Sequence, residues 1–277
     1  MMIRRLLLAC ALCAPMLAQT QRLDILITGA KIVDGSGAPW FYGDVGIRGD
    51  SIAAVGHIVN LDAAVKIDAR GMMVAPGFID IHSHGRRGIE SVPTAENYLR
   101  EGVTTIIEGP DGSSPLPIAP FLDRIGKLGI SINFGTFVGQ GTIRQQVVQL
   151  ENRKATPEEI AQMREITAQA MRDGAFGLST GLFYVPGNFT PTEEVIEIAK
   201  VVGRMGGIHI SHMREEAGHV LDSVRETIRI GEEGGLPTQI THHKIIGQGN
   251  WGKSVDTLKL VEEARARGVD VTIDQYP

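Results

Sequence analysis

The feature that most constrains this 277-residue chain is a regular alternation of short apolar segments with amphipathic segments from residue 72 onward. Strands that alternate with helices along a sequence predict βαβ units and a parallel sheet. The first strand is not followed by a glycine-rich dinucleotide-binding turn, so the pattern favours an α/β fold of the (β/α)8 TIM-barrel type over a doubly wound sheet. The strands are predicted at residues 74–82, 103–108, 131–137, 175–179, 207–212, 237–242 and 269–274.

The later helices are predicted with recognisable starts and stops. Thr156, followed by Pro157 and two glutamates, predicts an N-cap with proline at the first helical position. Asp173-Gly174 predicts the end of that helix, and a second Thr-Pro pair at Thr190 predicts that the next helix starts in the same way. Two further helices are predicted over residues 216–234 and 254–268.

The segment before the barrel predicts a separate small domain. Between residues 23 and 70, short apolar runs alternate with glycine turns, which indicates a small antiparallel sheet region. Such a region is too short to hold a large core alone. The predicted division is therefore a signal peptide at 1–18, a partial small β-domain at 19–71 and the barrel at 72–277.

The first residues are typical of a secretory signal peptide. A basic segment up to Arg5 precedes an apolar run from Leu6 to Ala18, and polar residues follow. We predict cleavage after Ala18 and a periplasmic or secreted protein; the alternative is a buried first helix. Cys10 and Cys13 both lie in the leader, so the mature chain would have no disulfide and no thiolate metal ligand.

Composition argues against two classes of partner. The net charge is −5 and aromatic residues make up 5% of the chain, which disfavours nucleic acid as a ligand. After the leader there is no apolar stretch of about 20 residues, so no membrane span is expected. The oligomeric state is left open.

Four of the eight histidines follow or end predicted strands. His82 and His84 are two residues apart, and such side chains share one face of a strand. His212 and His242 each end a later predicted strand. Since the carboxyl ends of barrel strands form one face, the four imidazoles are expected to converge and bind a divalent metal, most simply zinc.

Several segments carry a family resemblance. Val74–His84 resembles the first barrel strand of the amidohydrolase superfamily, and the sheet before it resembles the small β-sandwich domain of that superfamily. Other segments resemble the N-acyl-D-amino-acid deacylase (D-aminoacylase) family: Gly102–Thr105, Gly177–Tyr184, His212–Glu216, Thr241–Lys244, Asn250–Ser254 and Asp274–Pro277.

The resemblance implies hydrolysis of the amide bond of N-acyl-D-amino acids by a zinc-bound water. It implies a tight zinc ion at His212 and His242, and a second, weaker site at His82 and His84. Substrate contacts are expected from four residues, of which the cations suit a substrate carboxylate: Lys244, Arg214, Tyr184 and Ser179.

The chain departs from the family at its metal ligands. The family cysteine is absent, and its position falls on Asp111; Glu108, at the strand end, is an alternative carboxylate ligand. The choice between the two is left open. The fourth strand, from Ala175 to Thr180, contains no lysine, so a carboxylated-lysine bridge is not expected. Gln140 stands where the family has a histidine.

The end of the sequence carries a third departure. No position matches the eighth-strand aspartate that is the family's catalytic base, so we expect this sequence to be an N-terminal fragment with its catalytic residue unknown. Asp274 is a conceivable replacement. The alternative functions are another amidohydrolase, dihydroorotase-like or dipeptidase-like, or an inactive truncated relic.

Overall fold

The computed structural model describes residues 22–276, so the predicted signal peptide at 1–18 lies outside the described residues. The chain divides into two compact units between Pro76 and Gly77. Within the described part of the chain, no helix is both long and apolar enough to span a bilayer.

The first unit is a mixed five-stranded sheet. β1 pairs antiparallel with β2, and β2 with β3, as the turn spacing predicts. The sequence prediction was wrong for the rest: β4 and β5 both pair parallel to β1, because the chain after β3 crosses to the other side of β1. The strands are β1 (Leu23–Ile32), β2 (Phe41–Arg48), β3 (Ser51–Gly56), β4 (Ala63–Asp68) and β5 (Met73–Val74).

All strand pairs of the second unit are parallel, which confirms the α/β prediction. The strands are β6 (Phe78–Asp80), β7 (Val103–Glu108), β8 (Asn133–Thr136), β9 (Val138–Gly139), β10 (Gly177–Gly181), β11 (Ile208–His212), β12 (Thr238–Ile240) and β13 (Val271–Ile273). They form a three-stranded sheet, β6-β7-β8, and a five-stranded sheet, β9-β10-β11-β12-β13.

The two sheets meet at one residue. Phe137 lies between β8 and β9, and its N–H donates to the Glu108 carbonyl at 2.8 Å. β8 and β9 are therefore two halves of the third strand of a seven-strand parallel series. β6 and β13 do not pair with each other, so the described residues contain no closed barrel.

Eight helices are described in this unit: α1 (Arg86–Ser91), α2 (Glu96–Arg100), α3 (Ile118–Lys127), α4 (Gln140–Val147), α5 (Pro157–Arg172), α6 (Thr192–Arg204), α7 (Val220–Gly234) and α8 (Ser254–Ala266). The α5 start is as predicted, because Thr156 and Glu159 cap each other's backbone N–H groups at 3.2 and 2.8 Å.

Two other predicted helix starts were wrong. The Thr190 hydroxyl does not cap α6 but accepts from Gln140 Nε2 at 3.0 Å. The helix predicted from residue 216 begins at Val220, because the Glu215 carboxylate binds the N–H groups of Ala217 and His219 and holds a turn there.

The core lies on both faces of the parallel strands. A small group on the inner face contains Ile107, Phe137 and Ile210, and the largest group packs β9 and β10 against α4, α5 and α6. His209 is fully buried among the strands, where its two ring nitrogens lie 2.9 Å from the Thr180 hydroxyl and 2.7 Å from the Thr238 hydroxyl.

A buried ion pair joins two of the helices. Arg144 of α4 is fully buried, and its guanidinium donates to Glu194 of α6. The other Glu194 oxygen accepts the N–H of Ala155 at 3.1 Å, so both carboxylate oxygens have donors. Arg144 also donates to the Arg153 carbonyl at 2.6 Å.

Candidate metal centre

The first two histidines lie in the loop that follows β6. The prediction of one strand over residues 74–82 was therefore wrong: Met73–Val74 pairs with β1, and β6 covers only Phe78–Asp80. The His82 backbone N–H donates to the Asp80 carboxylate at 2.9 Å, which fixes the start of this loop. The His82 side chain is largely buried, whereas that of His84 is 67% exposed. One imidazole is thus enclosed and the other reaches solvent.

Asp111 lies in the loop after β7, with a left-handed backbone φ of 55°. The Ser179 hydroxyl donates to the Gly109 carbonyl at 2.5 Å and accepts the Gly112 N–H at 3.1 Å, so it clasps the loop on both sides of Asp111. A Cβ on Gly181 would lie 2.1 Å from the Asp111 carbonyl oxygen, so this approach requires glycine. The position of Asp111 is set by contacts of the backbone.

His212 and His242 are delivered by β11 and β12. His212 is the last residue of β11, and His242 follows β12 with a left-handed φ of 37°. His212 Nδ1 lies 2.7 Å from His242 Nε2. The carboxyl ends of neighbouring parallel strands therefore bring these rings together, as the sequence pattern predicts.

Two groups of side chains in the described residues have the geometry to hold a metal ion. One contains His82, His84 and Asp111, and the other contains Asp111, His212 and His242; the ligand atoms of each group lie within 4.8 Å of one another. Asp111 Oδ2 is 3.1 Å from His84 Nε2, and Oδ1 is 3.4 Å from His82 Nε2 and 3.7 Å from His212 Nδ1. The two groups share this carboxylate.

The charges at Asp111 fit a bound cation. Burial raises the pKa of Asp111, but the nearby imidazoles of His212 and His82 outweigh burial and hold that pKa well below its usual range. For His82, burial lowers the pKa, yet contacts with Asp111 and Asp274 raise it to about 9. Asp111 Oδ1 is buried and has no hydrogen-bond partner. An unpartnered anionic oxygen among imidazoles is a suitable donor set for a divalent metal.

Glu108 lies in a different environment. It is buried, its carboxylate accepts the Arg86 N–H at 3.3 Å, and it lies 3.7 Å from the Arg86 guanidinium. Burial raises the pKa of Glu108 more than Arg86 lowers it. Of the two carboxylates that the sequence leaves open, the structure brings Asp111 to the histidines.

Lys244 and Tyr184 each lie beside a histidine of the metal groups. Lys244 Nζ is 2.7 Å from Glu216 and 3.1 Å from His242 Nδ1, and it lines a cavity of about 420 Å³ with Trp251 and Tyr276. Tyr184 Oη is 3.4 Å from His212 Nδ1, and it lines a cavity of about 360 Å³ with His84 and Asp111. Burial, aided by Asp111, raises the pKa of the Tyr184 phenol.

The other two predicted substrate residues do not line these cavities. The Arg214 guanidinium donates to Glu226 at 2.8 and 2.9 Å and to the carbonyls of Asn188 and Thr190 at 3.1 and 2.8 Å. Ser179 is fully buried, with its hydroxyl committed to the Asp111 loop. Arg214 and Ser179 therefore hold the backbone around the site in place and do not face the cavities.

Sequence reasoning missed two residues that touch the site. Glu216 Oε1 lies 3.0 Å from His242 Nδ1, and the Tyr276 ring faces both His242 and Lys244. Glu216 and Tyr276 lie in two of the segments that resemble the family, His212–Glu216 and Asp274–Pro277. That resemblance could have identified both residues from the sequence. Gln140, by contrast, is fully buried and bonded to Thr190.

No protein-family model matches the chain. Among curated proteins, D-aminoacylase of Alcaligenes xylosoxydans xylosoxydans is 38% identical over 94% of this chain and 58% of its own length. N-acyl-D-aspartate deacylase of the same organism is 34% identical over 92% of this chain and 56% of its own length. The chain thus spans a little under three-fifths of the length of these relatives.

Solved structures give the same relationship. One match is N-acyl-D-glutamate deacylase from Bordetella bronchiseptica, which was crystallised with zinc and a phosphonate inhibitor that mimics the tetrahedral intermediate. Its TM-score is 0.88 and its sequence identity is 33%, over 93% of this chain and 59% of that one. A D-aminoacylase crystal structure that defines a subset of amidohydrolases matches with a TM-score of 0.86 and 35% identity over 92% of this chain and 58% of that one.

Proposed function

The chain is homologous over most of its length to the D-aminoacylase subset of the amidohydrolases, and from this relationship we propose that the protein is a zinc-dependent hydrolase of N-acyl-D-amino acids. The reaction is cleavage of the amide bond between the acyl group and the D-amino acid. The observation that carries the proposal is the unpartnered, buried oxygen of Asp111 between two histidine pairs.

The donor set suits zinc, which is bound in the structure of the Bordetella deacylase. His212 and His242, with Asp111, would hold the tight ion, and His82 and His84, sharing Asp111, would hold a second, weaker one. Zinc at this site supplies a Lewis acid that polarises an amide carbonyl and lowers the pKa of a water molecule toward 7.

The residues of the chain supply binding and orientation. An N-acyl amino acid carries a free carboxylate, and the Lys244 ammonium beside the metal groups provides a matching positive charge. The Tyr184 hydroxyl, 3.4 Å from His212 Nδ1, offers a hydrogen-bond donor to the substrate. Glu216 holds Lys244 in place through its 2.7 Å contact.

The localisation belongs to the same proposal. We propose that residues 1–18 are a cleaved signal peptide and that the enzyme works in the periplasm or outside the cell. The three-part pattern of these residues supports this, as does the confinement of Cys10 and Cys13 to the leader. Fractionation of cells and N-terminal sequencing of the mature protein test it.

The function is tested by measuring metal content and hydrolysis together in the full-length protein. We expect zinc to copurify and N-acetyl-D-amino acids to be cleaved in preference to their L-isomers. His212→Ala should lose both zinc and turnover, whereas His57→Ala, at an exposed histidine of the first unit, should retain both. Bound zinc without D-selective turnover would refute the substrate assignment.

A further inference from the structure

Two carboxylates outside the ligand groups contact the outer nitrogens of metal-site histidines. We infer that Glu216 and Asp274 are positioning residues, which fix the ring orientation and the proton placement of His242 and His82 so that each ring presents Nε2 to the metal. The inference rests on the proposed function, because it requires a metal at this centre.

Glu216 is arranged as the partner of His242. Its side chain is buried, and Oε1 lies 3.0 Å from His242 Nδ1 without a hydrogen bond to any described residue. Oε2 is held by Lys244 Nζ at 2.7 Å, which fixes the carboxylate. The opposite ring nitrogen, His242 Nε2, faces His212 Nδ1 at 2.7 Å, inside the ligand group. Lys244 Nζ also lies 3.1 Å from His242 Nδ1, but its ammonium is paired with Glu216 Oε2 at 2.7 Å. Oε1 can then accept a proton from Nδ1, which leaves Nε2 free to ligate.

Asp274 repeats the arrangement at His82 and adds a second contact. One of its oxygens lies 3.5 Å from His82 Nδ1, while His82 Nε2 faces Asp111. The other oxygen accepts the backbone N–H of His242, whose φ is left-handed. Gln239 also donates to this carboxylate, and the Asp274 N–H donates to the Ile240 carbonyl at 3.1 Å. Asp274 therefore contacts one ligand of each metal group.

The contacts predict a difference between the two carboxylates. Partners of this kind orient a ligand and raise its basicity, and their removal costs about 10- to 100-fold in metal affinity. Glu216 contacts His242 and neither His82 nor His84 in the described residues, so its loss should weaken the ion at His212 and His242. Asp274 supports both groups, so its loss should weaken both ions.

The test is a zinc titration of the metal-free, full-length protein by competition with a chromophoric chelator. Glu216→Ala and Asp274→Ala should each bind zinc about 10- to 100-fold more weakly, and Glu216→Gln, which keeps an acceptor oxygen, should lose less. The matched controls are Glu262→Ala and Asp123→Ala, at exposed carboxylates on α8 and α3. Melting of each metal-free variant separates lost affinity from lost folding.

A second measurement needs no variant. In the zinc-loaded wild type, ¹⁵N chemical shifts of the imidazoles should show Nδ1 protonated and Nε2 metal-bound in both His82 and His242. Metal on Nδ1 of either ring overturns the inference, as does zinc affinity equal to that of the controls. If the wild type binds zinc through Nε2 and the variants bind it more weakly, but no substrate is hydrolysed, the inference stands and the proposed function is refuted. A wild type that binds no zinc refutes both.

Discussion

Breaking the buried ion pair between Arg144 on α4 and Glu194 on α6 should lower the free energy of unfolding far more than breaking an ion pair on the surface. Replacing Glu194 with Gln keeps the shape but leaves one acceptor oxygen for two donors, the Arg144 guanidinium and the Ala155 N–H. Arg144 is fully buried, so its charge would have no counterion. Breaking such a pair costs about 3–5 kcal/mol. In a unit of this size, that lowers the Tm by roughly 6–20 °C.

Urea and thermal unfolding of Glu194→Gln measure this cost directly. The preceding residue on α6 provides the control: Glu193 is 70% exposed and pairs with Arg229 at 2.9 Å, so Glu193→Gln should leave the free energy of unfolding nearly unchanged. Because α4 also touches the Asp111 loop, through the Thr142 N–H and the Gly112 carbonyl at 3.1 Å, zinc affinity should fall with Glu194→Gln. Equal unfolding free energies for the two variants would refute the reasoning.

Three further predictions concern pH, the Asp111 loop and the metal. Burial lowers the pKa of His209 to about 3, against an ordinary value of 6.5. The unfolded chain therefore binds more protons between these values, and stability falls as pH falls, by about 1.4 kcal/mol per pH unit for this group. Urea melts from pH 6 to 4 should show the advantage of the wild type over His209→Gln shrinking at that slope; a constant difference would contradict it. Gly181→Ala should displace the Asp111 carbonyl and weaken zinc binding at least tenfold by calorimetry, while Gly126→Ala, at an open helical position, should leave affinity unchanged. Removal of metal by a chelator should destabilise the second unit by about 2.7 kcal/mol relative to protein with free zinc at 100 times the Kd; superimposed melting curves would speak against a structural metal site.

After β6, the strands of the second unit could be predicted because each is a short apolar run between turn residues. The histidine cluster followed from that prediction, since His212 and His242 come at the carboxyl ends of neighbouring parallel strands. The first four helices of this unit were not predicted. They are 5 to 10 residues long, so the apolar period repeats too few times to be read.

The choice of carboxylate could not be made from the sequence. Glu108 ends β7, so strand geometry alone favours it, whereas Asp111 reaches the histidines only because the loop turns through a left-handed residue clasped by Ser179. The hydrogen bond that holds this turn joins Gly112 to Ser179, which is 67 positions later in the sequence. In the same way, Glu216 was assigned to a helix, because the turn held by Glu215 has no signature in the apolar pattern.

In the loop that carries Asp111, the position of the ligand residue and the identity of its ligand atom are determined by different groups. Where the ligand stands is specified by Ser179, the Gly181 approach and the backbone bonds of Gly109 and Gly112, none of which involves the side chain at 111. Which atom is offered to the metal is specified by that side chain alone. We therefore expect that a single codon change at this position can exchange the ligand atom, among sulfur, oxygen and nitrogen, without a change in the strands on either side.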